Sequence, residues 1–441
     1  MTSIQQANFR LGSGSELVVV VPFEMERCIA SLKVISTGGN SEPRVDILGA
    51  PAIVDVPYNL VPGAVFTVFA WSNATIHIEG PKQLIMNCFR STTPPSSRHI
   101  VEYHCIIHNA RIIADKQNNF GPMILICGRN GTENHAVART LCSYAARTGW
   151  APQLVDLDCG GCQMLGAPST VCSAVIEYPI TIDEELTTGP LSIGFFVGST
   201  ECQTKSGPCE WSMLAPYTHY CGQLLSCVSE RVARHRGNVS GSSGAVIVLP
   251  ELKGTSGLLF IEDLLRRFNI SHVLCIGDDF LFCGIQSRIP KLRDAISSRS
   301  AVLPRIDRIS SCPHFPSTNT RPDHISSIIE KYFFGSGFTD LQPSEVNKRY
   351  SSIEIFLLKD LDGQTVLTSV LQDSLEGIVG CVGALFEYSK IREKDKLSVT
   401  HFALARIQSF DANGVNLLIS THSSLPEKLV LIIGTFRWVT S

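Results

Sequence analysis

The first hundred residues carry short apolar runs set between turn residues: 15–23 (SELVVVVPF), 28–37 (CIASLKVIST), 64–72 (AVFTVFAWS), 74–80 (ATIHIEG) and 83–89 (QLIMNCF). Runs of this length, rich in Val, Ile, Thr and Phe and punctuated by Gly, Pro and Asn, predict an N-terminal β-sandwich over residues 1–100. The segment TTPPSSR, 92–98, reads as the linker that closes it, and a helix follows at 101–116 (VEYHCIIHNARIIADK). The texture then changes. Continuous apolar runs at 123–128 (MILICG), 153–158 (QLVDLD), 191–199 (LSIGFFVGS), 244–250 (GAVIVLP) and 272–278 (HVLCIGD) alternate with helically spaced segments such as 132–149. Uninterrupted apolar strands between helices are what a parallel sheet covered on both faces requires, so residues 101–338 predict a doubly wound α/β domain. Past the Gly-rich FFGSGF at 333–338 the β texture returns, from 353–360 (IEIFLLKD) to 428–439 (KLVLIIGTFRWV), and predicts a C-terminal β-rich domain over 339–441.

Composition adds bounds to this picture. The 441 residues are 44% hydrophobic, enough for several cores. The balance of 37 Lys+Arg against 40 Asp+Glu leaves a net charge of -3, so any nucleic-acid contact must be a local basic patch. The N-terminal MTSIQQANFRLGSGSE has no apolar core before a cleavage site, and no apolar run approaches the roughly 18 residues of a membrane span. An intracellular, soluble protein without a membrane partner is the expectation. Sixteen cysteines, scattered from Cys28 to Cys381, lack the paired spacing of a disulfide framework and are expected to be small buried hydrophobes. The CGGC at 159–162 has redox-type spacing, and with Cys172 and His135 could sketch a zinc set. It follows a strand rather than opening a helix, however, and has no second ligand pair. The SGSSG at 240–244 is expected to be a flexible connection rather than a nucleophile elbow.

The chemistry-bearing stretch is 121–145, GPMILICGRNGTENHAVARTLCSYA: a buried strand, a loop from Gly128, and a helix expected from His135 or Ala136. That is the place of a phosphate-binding loop, in which backbone N–H groups and a helix N-terminus cradle phosphate, a lysine neutralises it and a hydroxyl holds magnesium. Counted from Gly128, and with Gly131 inside the loop, the second glycine falls on Glu133, the lysine on Asn134 and the hydroxyl on His135, with Ala136 next. Three functional positions are replaced. A carboxylate where phosphate should rest, with no cation to offset it, costs about several kcal/mol of phosphate affinity in a partly desolvated pocket.

The sequence after this loop, YAARTGWAPQLVDLDCGGCQMLGAPSTVCSAVIEYP, resembles the polynucleotide 5′-hydroxyl kinase and pre-mRNA cleavage factor family. A Y-A-x-R-x-G helix end there leads to a strand and an acidic L-D-x-G. The resemblance extends through GPLSIGFFVGST, LPELKGTSGLLFIEDLLRRFNISHVLCIGDD and IIEKYFFG, and into both flanking β regions, so it covers almost the whole chain in order. It implies ATP and Mg as cofactors. It also implies Asp158, with Asp156 as its rival, as the carboxylate that orients magnesium or deprotonates the 5′-hydroxyl, and Glu16 as an adenine contact. Arg288 and Arg293 would be lid arginines near one face of a helix. Against the family pattern, the turn at 55–60 lacks its lysine and Glu251 stands at a substrate-stacking aromatic position. By this resemblance, and with the phosphate loop so altered, the chain is expected to be a kinase-derived, non-catalytic or nearly inactive scaffold in the nuclear pre-mRNA 3′-end cleavage and polyadenylation complex, docking a large scaffold subunit through its α/β domain. The alternative is an active ATP-dependent RNA 5′-hydroxyl kinase in RNA or tRNA processing, partnered by RNA and tRNA-splicing endonuclease subunits. Arg129 or Lys205 would then neutralise the phosphate.

Overall fold

The computed structural model describes residues 4–22, 30–36, 42–91, 96–160, 167–182, 192–208, 210–297, 303–316, 322–335, 341–370, 376–392, 400–420 and 425–438. The N-terminal strands form two antiparallel sheets, one of four strands and one of five, facing each other over a core that includes Leu17, Val19, Leu32, Phe66, Ile76 and Ile78. Alternation produces this: in Ala74–Pro81 every second residue is buried, which puts one face of the strand on the core. One of the expected β runs differs. Lys82–Met86 is a short helix, and only Cys88–Arg90 of that run joins a sheet.

Within the central layer we number α1 (Ser96–Lys116), β1 (Met123–Gly128), α2 (Gly131–Arg147), β2 (Gln153–Asp156), β3 (Thr170–Val175), β4 (Ile193–Phe196), α3 (Ala215–Arg234), α4 (Val239–Ser243), β5 (Ala245–Val248), α5 (Gly254–Arg267), β6 (His272–Ile276), α6 (Asp279–Ser297) and β7 (Arg305–Ile309). The sheet order is β4-β3-β2-β5-β1-β6-β7. Strands β2, β5, β1, β6 and β7 are parallel; at one edge β3 pairs antiparallel with β2, and β4 antiparallel with β3. Strands β2, β5, β1 and β6 are buried nearly throughout, because helices cover both faces, while the edge strand β7 buries only Ile309. The C-terminal region is a seven-stranded, mostly antiparallel sheet in which Ile353–Leu361 lies parallel to Leu429–Arg437. Among the described residues no helix is long and apolar enough to cross a membrane.

Two expected connections are helical instead. Ser96, Ser97 and Arg98, read as linker, form the first turn of α1, and the SGSSG stretch forms most of α4, with Gly241, Ser242 and Ser243 buried. In the first case the reason is long-range. Glu16, on the sandwich strand Ser15–Val20 and fully buried, accepts hydrogen bonds from the Ser96 and Ser97 backbone N–H groups (3.1 and 3.0 Å) and from both hydroxyls. The carboxylate thus caps a helix N-terminus, where the helix dipole favours negative charge. Asp360 of the C-terminal sheet does the same for α3, accepting from the Ala215 N–H at 2.7 Å. Each β region therefore holds the central layer through a carboxylate at a helix start. The second seam also needs glycine: Thr435 N–H donates to the Gly198 carbonyl at 2.7 Å, and a Cβ on Gly434 would collide with that oxygen.

Replacing Glu16 with alanine removes a buried cap that receives several hydrogen bonds. A loss of about 2–3 kcal/mol is expected, read as a lower midpoint in chemical unfolding. An unchanged midpoint would show that the cap contributes nothing.

Candidate functional site

The site lies at the C-terminal ends of β1, β2 and β5, where parallel sheets place their ligands. Strand β1 ends at Gly128, and only Arg129 and Asn130 separate it from α2. The sequence reading placed the start of α2 four or five residues later, and the difference is the central finding. Asn130 is the N-cap, with extended backbone and a side chain that accepts from the Glu133 N–H at 3.4 Å; Glu133 adds an acidic residue in the first turn. Both features favour helix, so the residues that should wrap a phosphate as a loop are wound into α2 instead. Gly128 is required because a Cβ there would lie 2.6 Å from Asn134 Oδ1.

The replaced side chains all turn inward. Asn134, fully buried, donates from Nδ2 to the Leu249 carbonyl (3.2 Å) and the Gly128 carbonyl (3.4 Å), tying α2 to the ends of β5 and β1. Glu133, 3% exposed, accepts from the Cys312 N–H at 2.6 Å and from the Ser311 hydroxyl. Burial pushes its carboxyl up from the usual range, those two hydrogen bonds pull it back, and the nearby charge of Glu16 raises it again. The segment that Glu133 grips joins the start of α2 to the sandwich. Asn130 Nδ2 donates to the Pro316 carbonyl at 2.8 Å, Phe315 and Cys312 join the sandwich core together with Ala136, and His314 stacks on Phe89 with ring centroids 4.6 Å apart.

His135 occupies the hydroxyl position. Its Nδ1 lies 2.7 Å from the Gly131 carbonyl and its Nε2 lies 3.0 Å from Asp156 Oδ1, an arrangement of two acceptors that favours the imidazolium. Burial opposes the charge, but the charge of Asp156 and its hydrogen bond, the charge of Asp158 and the Gly131 carbonyl outweigh it, and the histidine is pushed up to about 9. Asp156, fully buried, also accepts from the Asp158 N–H at 3.1 Å, and Asp158 Oδ1 accepts from the Gly160 N–H at 2.7 Å.

These donors do not fit a magnesium triphosphate. The lysine position holds a neutral amide facing carbonyls, the magnesium hydroxyl position holds a cation already paired with a carboxylate, and Glu133 puts negative charge at the helix start. Among the described residues no group of three or more His, Cys, Asp and Glu could hold a metal ion. Cys162 of the CGGC lies outside the described residues, and Cys159 is a buried thiol pushed well up by burial.

The remaining expected residues fall in three places. Glu16 lies near Glu133, but its carboxylate caps α1. Arg288 pairs with Glu262 of α5 at 3.0 Å, while Arg293 is exposed; five residues turn an α-helix by about 140°, so the two do not share a face as the sequence reading proposed. Lys205 lines an open cleft of about 280 Å³ beside Gly131 and Asp158, together with Glu251, Lys253 and Trp211. The sequence reading missed Trp211. It comes from a hairpin that pairs Gln203–Lys205 with Trp211–Met213, and its ring lies 4.9 Å from the Lys253 ammonium. Buried Gln203 fixes that hairpin on α5: its amide accepts from the Lys253 N–H (2.8 Å) and donates to the Lys253 carbonyl (2.9 Å). No periodicity could reveal this pairing, since the two partners are about fifty residues apart.

A P-loop-type α/β layer clasped between two β regions, with its strand–loop–helix turn at the sheet's C-terminal edge, defines the class: a nucleotide-kinase-like fold. The family model described as mRNA cleavage and polyadenylation factor CLP1 P-loop matches residues 128–320, and that of the N-terminal beta-sandwich domain of polyadenylation factor matches residues 10–114. The chain belongs to the Clp1 family of polynucleotide 5′-hydroxyl kinases and cleavage and polyadenylation factors. It is 24% identical over 318 residues to Polyribonucleotide 5'-hydroxyl-kinase Clp1 of Danio rerio, a match covering 70% of this chain and 65% of that protein, just under two thirds of its length. It is 26% identical over 357 residues to Protein CLP1 homolog of Drosophila melanogaster (81% and 76%), and 23% identical over 347 residues to mRNA cleavage and polyadenylation factor clp1 of Botryotinia fuckeliana (74% and 70%). The solved structure of the wild-type Clp1p–Pcf11p complex superposes with a TM-score of 0.75 at 16% identity, covering the whole of both chains, a likeness of fold.

The His135–Asp156 pair makes stability depend on pH. The histidine's folded value of about 9 exceeds the ordinary value of about 6.5. Its contribution is therefore complete below that ordinary value and is lost as pH rises through the folded one. The thermal midpoint of the native chain is expected to fall between those limits more steeply than that of His135→Gln. Parallel profiles would remove the ion pair from the account. His135→Ala, which leaves Asp156 buried and unpaired, should cost about 3–5 kcal/mol.

Proposed function

We propose that the chain is a kinase-derived, non-catalytic subunit of the nuclear machinery that cleaves and polyadenylates pre-mRNA, holding other subunits in place through the surface of its α/β domain. The observation that carries this reading is the set of internal contacts at the start of α2, where Glu133 grips Ser311 and Cys312 and His135 pairs with Asp156. A buried ion pair with all its hydrogen bonds made is costly to open, so binding ATP would require breaking contacts that hold the domains together. A scaffold has no such requirement. The relatives support the setting: those from fungi are named as cleavage and polyadenylation factors, and one solved relative is bound to Pcf11p.

One observation favours the second reading, an RNA 5′-hydroxyl kinase. The cleft beside Asp158 keeps an indole ring and two lysines, the groups that stack on bases and meet phosphates in single-stranded nucleic acid. Lys253, however, already covers the Trp211 ring, and Asp158, Glu201 and Glu251 line the same space.

The test combines activity and assembly. Purified chain incubated with γ-labelled ATP, magnesium and a 5′-hydroxyl RNA is expected to transfer no label, while tagged chain in its own cells copurifies with cleavage and polyadenylation subunits. The triple variant Glu133→Gly, Asn134→Lys, His135→Ser should capture those subunits no better than the native chain. Label transfer lost on Asp158→Asn would establish the kinase reading, and a failure to copurify would remove the scaffold.

A further inference from the structure

Arg111 lies on the sheet-facing side of α1 and is 1% exposed. Its Nε donates to the Ser243 carbonyl of α4 at 2.9 Å. Nη1 and Nη2 are buried, and among the described residues no acceptor meets either of them. A guanidinium carries five N–H donors, so four of the five lack a protein partner. Two further buried polar atoms nearby in the fold share that condition: Ser242 Oγ, one residue from the carbonyl that Arg111 binds, and His104 Nδ1, two turns earlier on the same face of α1.

The charge is likewise unanswered. No ion pair among the described residues includes Arg111. Burial pushes it down to about 10, with Cys142 of α2 the one group opposing, so it remains a cation at neutral pH. The titratable groups that feel it are neutral there. Burial, then the Arg111 charge, push His104 down to about 4, burial lowers His272 at the head of β6, and burial pushes the Cys142 thiol up to about 12. His108, on the outer turn of α1, accepts from the Trp150 indole N–H at 3.0 Å. Buried charges are as a rule paired, and buried donors hydrogen-bonded, by protein, ordered water or a bound ion. Water would complete the hydrogen bonds but bring no opposite charge into the low-dielectric interior.

We propose that Arg111 is the cation of a closed anion site, in which a small monovalent anion of the halide class sits between α1, α2 and α4. It would accept hydrogen bonds from Nη1 and Nη2, with the Ser242 hydroxyl as a further donor. The site lies at the end of the sheet opposite α2's N-terminus, near the starts of β1, β5 and β6, and is independent of the nucleotide question. Its role is structural: the anion completes the packing of α1 and α4 on the sheet.

Thermal unfolding of the full chain, with gluconate exchanged for chloride at constant ionic strength, is expected to show a midpoint that rises and then saturates with chloride. Arg111→Met, of similar length and without charge, should show no chloride response, and Arg111→Lys should keep part of it. Crystals soaked in bromide should give an anomalous peak within hydrogen-bond reach of Nη1 and Nη2. If Arg111→Met does not fold, the native titration, the lysine variant and the bromide peak still decide. A native midpoint indifferent to chloride, ordered water where bromide should lie, or a native-sized chloride response in Arg111→Met would each overturn the proposal.

Discussion

The N-terminus of α2 faces the C-terminal edge of a parallel sheet with its dipole directed into the site, a position that favours negative charge or acceptors. In a nucleotide-binding loop a phosphate meets that demand. Here the chain meets it with its own groups: the Asn130 side chain caps the helix and Glu133 places a carboxyl group in its first turn, while His135, one turn in, is paired with Asp156. With the loop residues helical, the Asn130 side chain rather than a phosphate receives the Glu133 N–H. The other features of the site follow from that local conversion of loop to helix.

The same interactions hold the three parts of the chain together. Glu133 binds Ser311 and Cys312, and through Cys312 and Phe315 that segment enters the core of the N-terminal sandwich. Glu16 returns from the sandwich to cap α1, and Arg147, the arginine of the Y-A-x-R-x-G helix end, reaches Asp46 at 2.8 Å and the Gly49 carbonyl at 3.0 Å. Asp360 closes the opposite side at α3. These seams are ordered by hydrogen bonds and charge as well as by apolar burial. A ligand that must pry Glu133 and His135 away would loosen the sandwich seam as well, so on the proposed reading nucleotide binding is set against a rigid assembly.

Much of the architecture was legible in the sequence because burial imposes period. The alternation of Ala74–Pro81 and the unbroken runs of β1, β5 and β6 each admit one kind of environment, and the replacement of the phosphate-loop residues could be counted directly from Gly128. What escaped was non-local. The start of α1 depends on Glu16, eighty residues away, and the start of α2 on a cap and an acidic first turn that were read as positions of a loop. Trp211 entered the cleft through strand pairing with Lys205, which no spacing rule anticipates. The Arg288 and Arg293 pair failed on angular grounds, since five residues carry a side chain well off the first one's face. Asp156 ends β2 and Asp158 follows it, but the sequence held no sign that a histidine from α2 would hold the first of them.

The claim at the centre of this account is that the chain fills its own nucleotide site, and calorimetric titration of the purified protein with ATP and magnesium tests it most directly. The account predicts no binding heat and no shift in thermal midpoint for the native chain, because Glu133 and the His135–Asp156 pair already satisfy the start of α2. Saturable binding of magnesium-ATP by the native chain, at the concentrations at which nucleotide kinases bind it, would contradict the account.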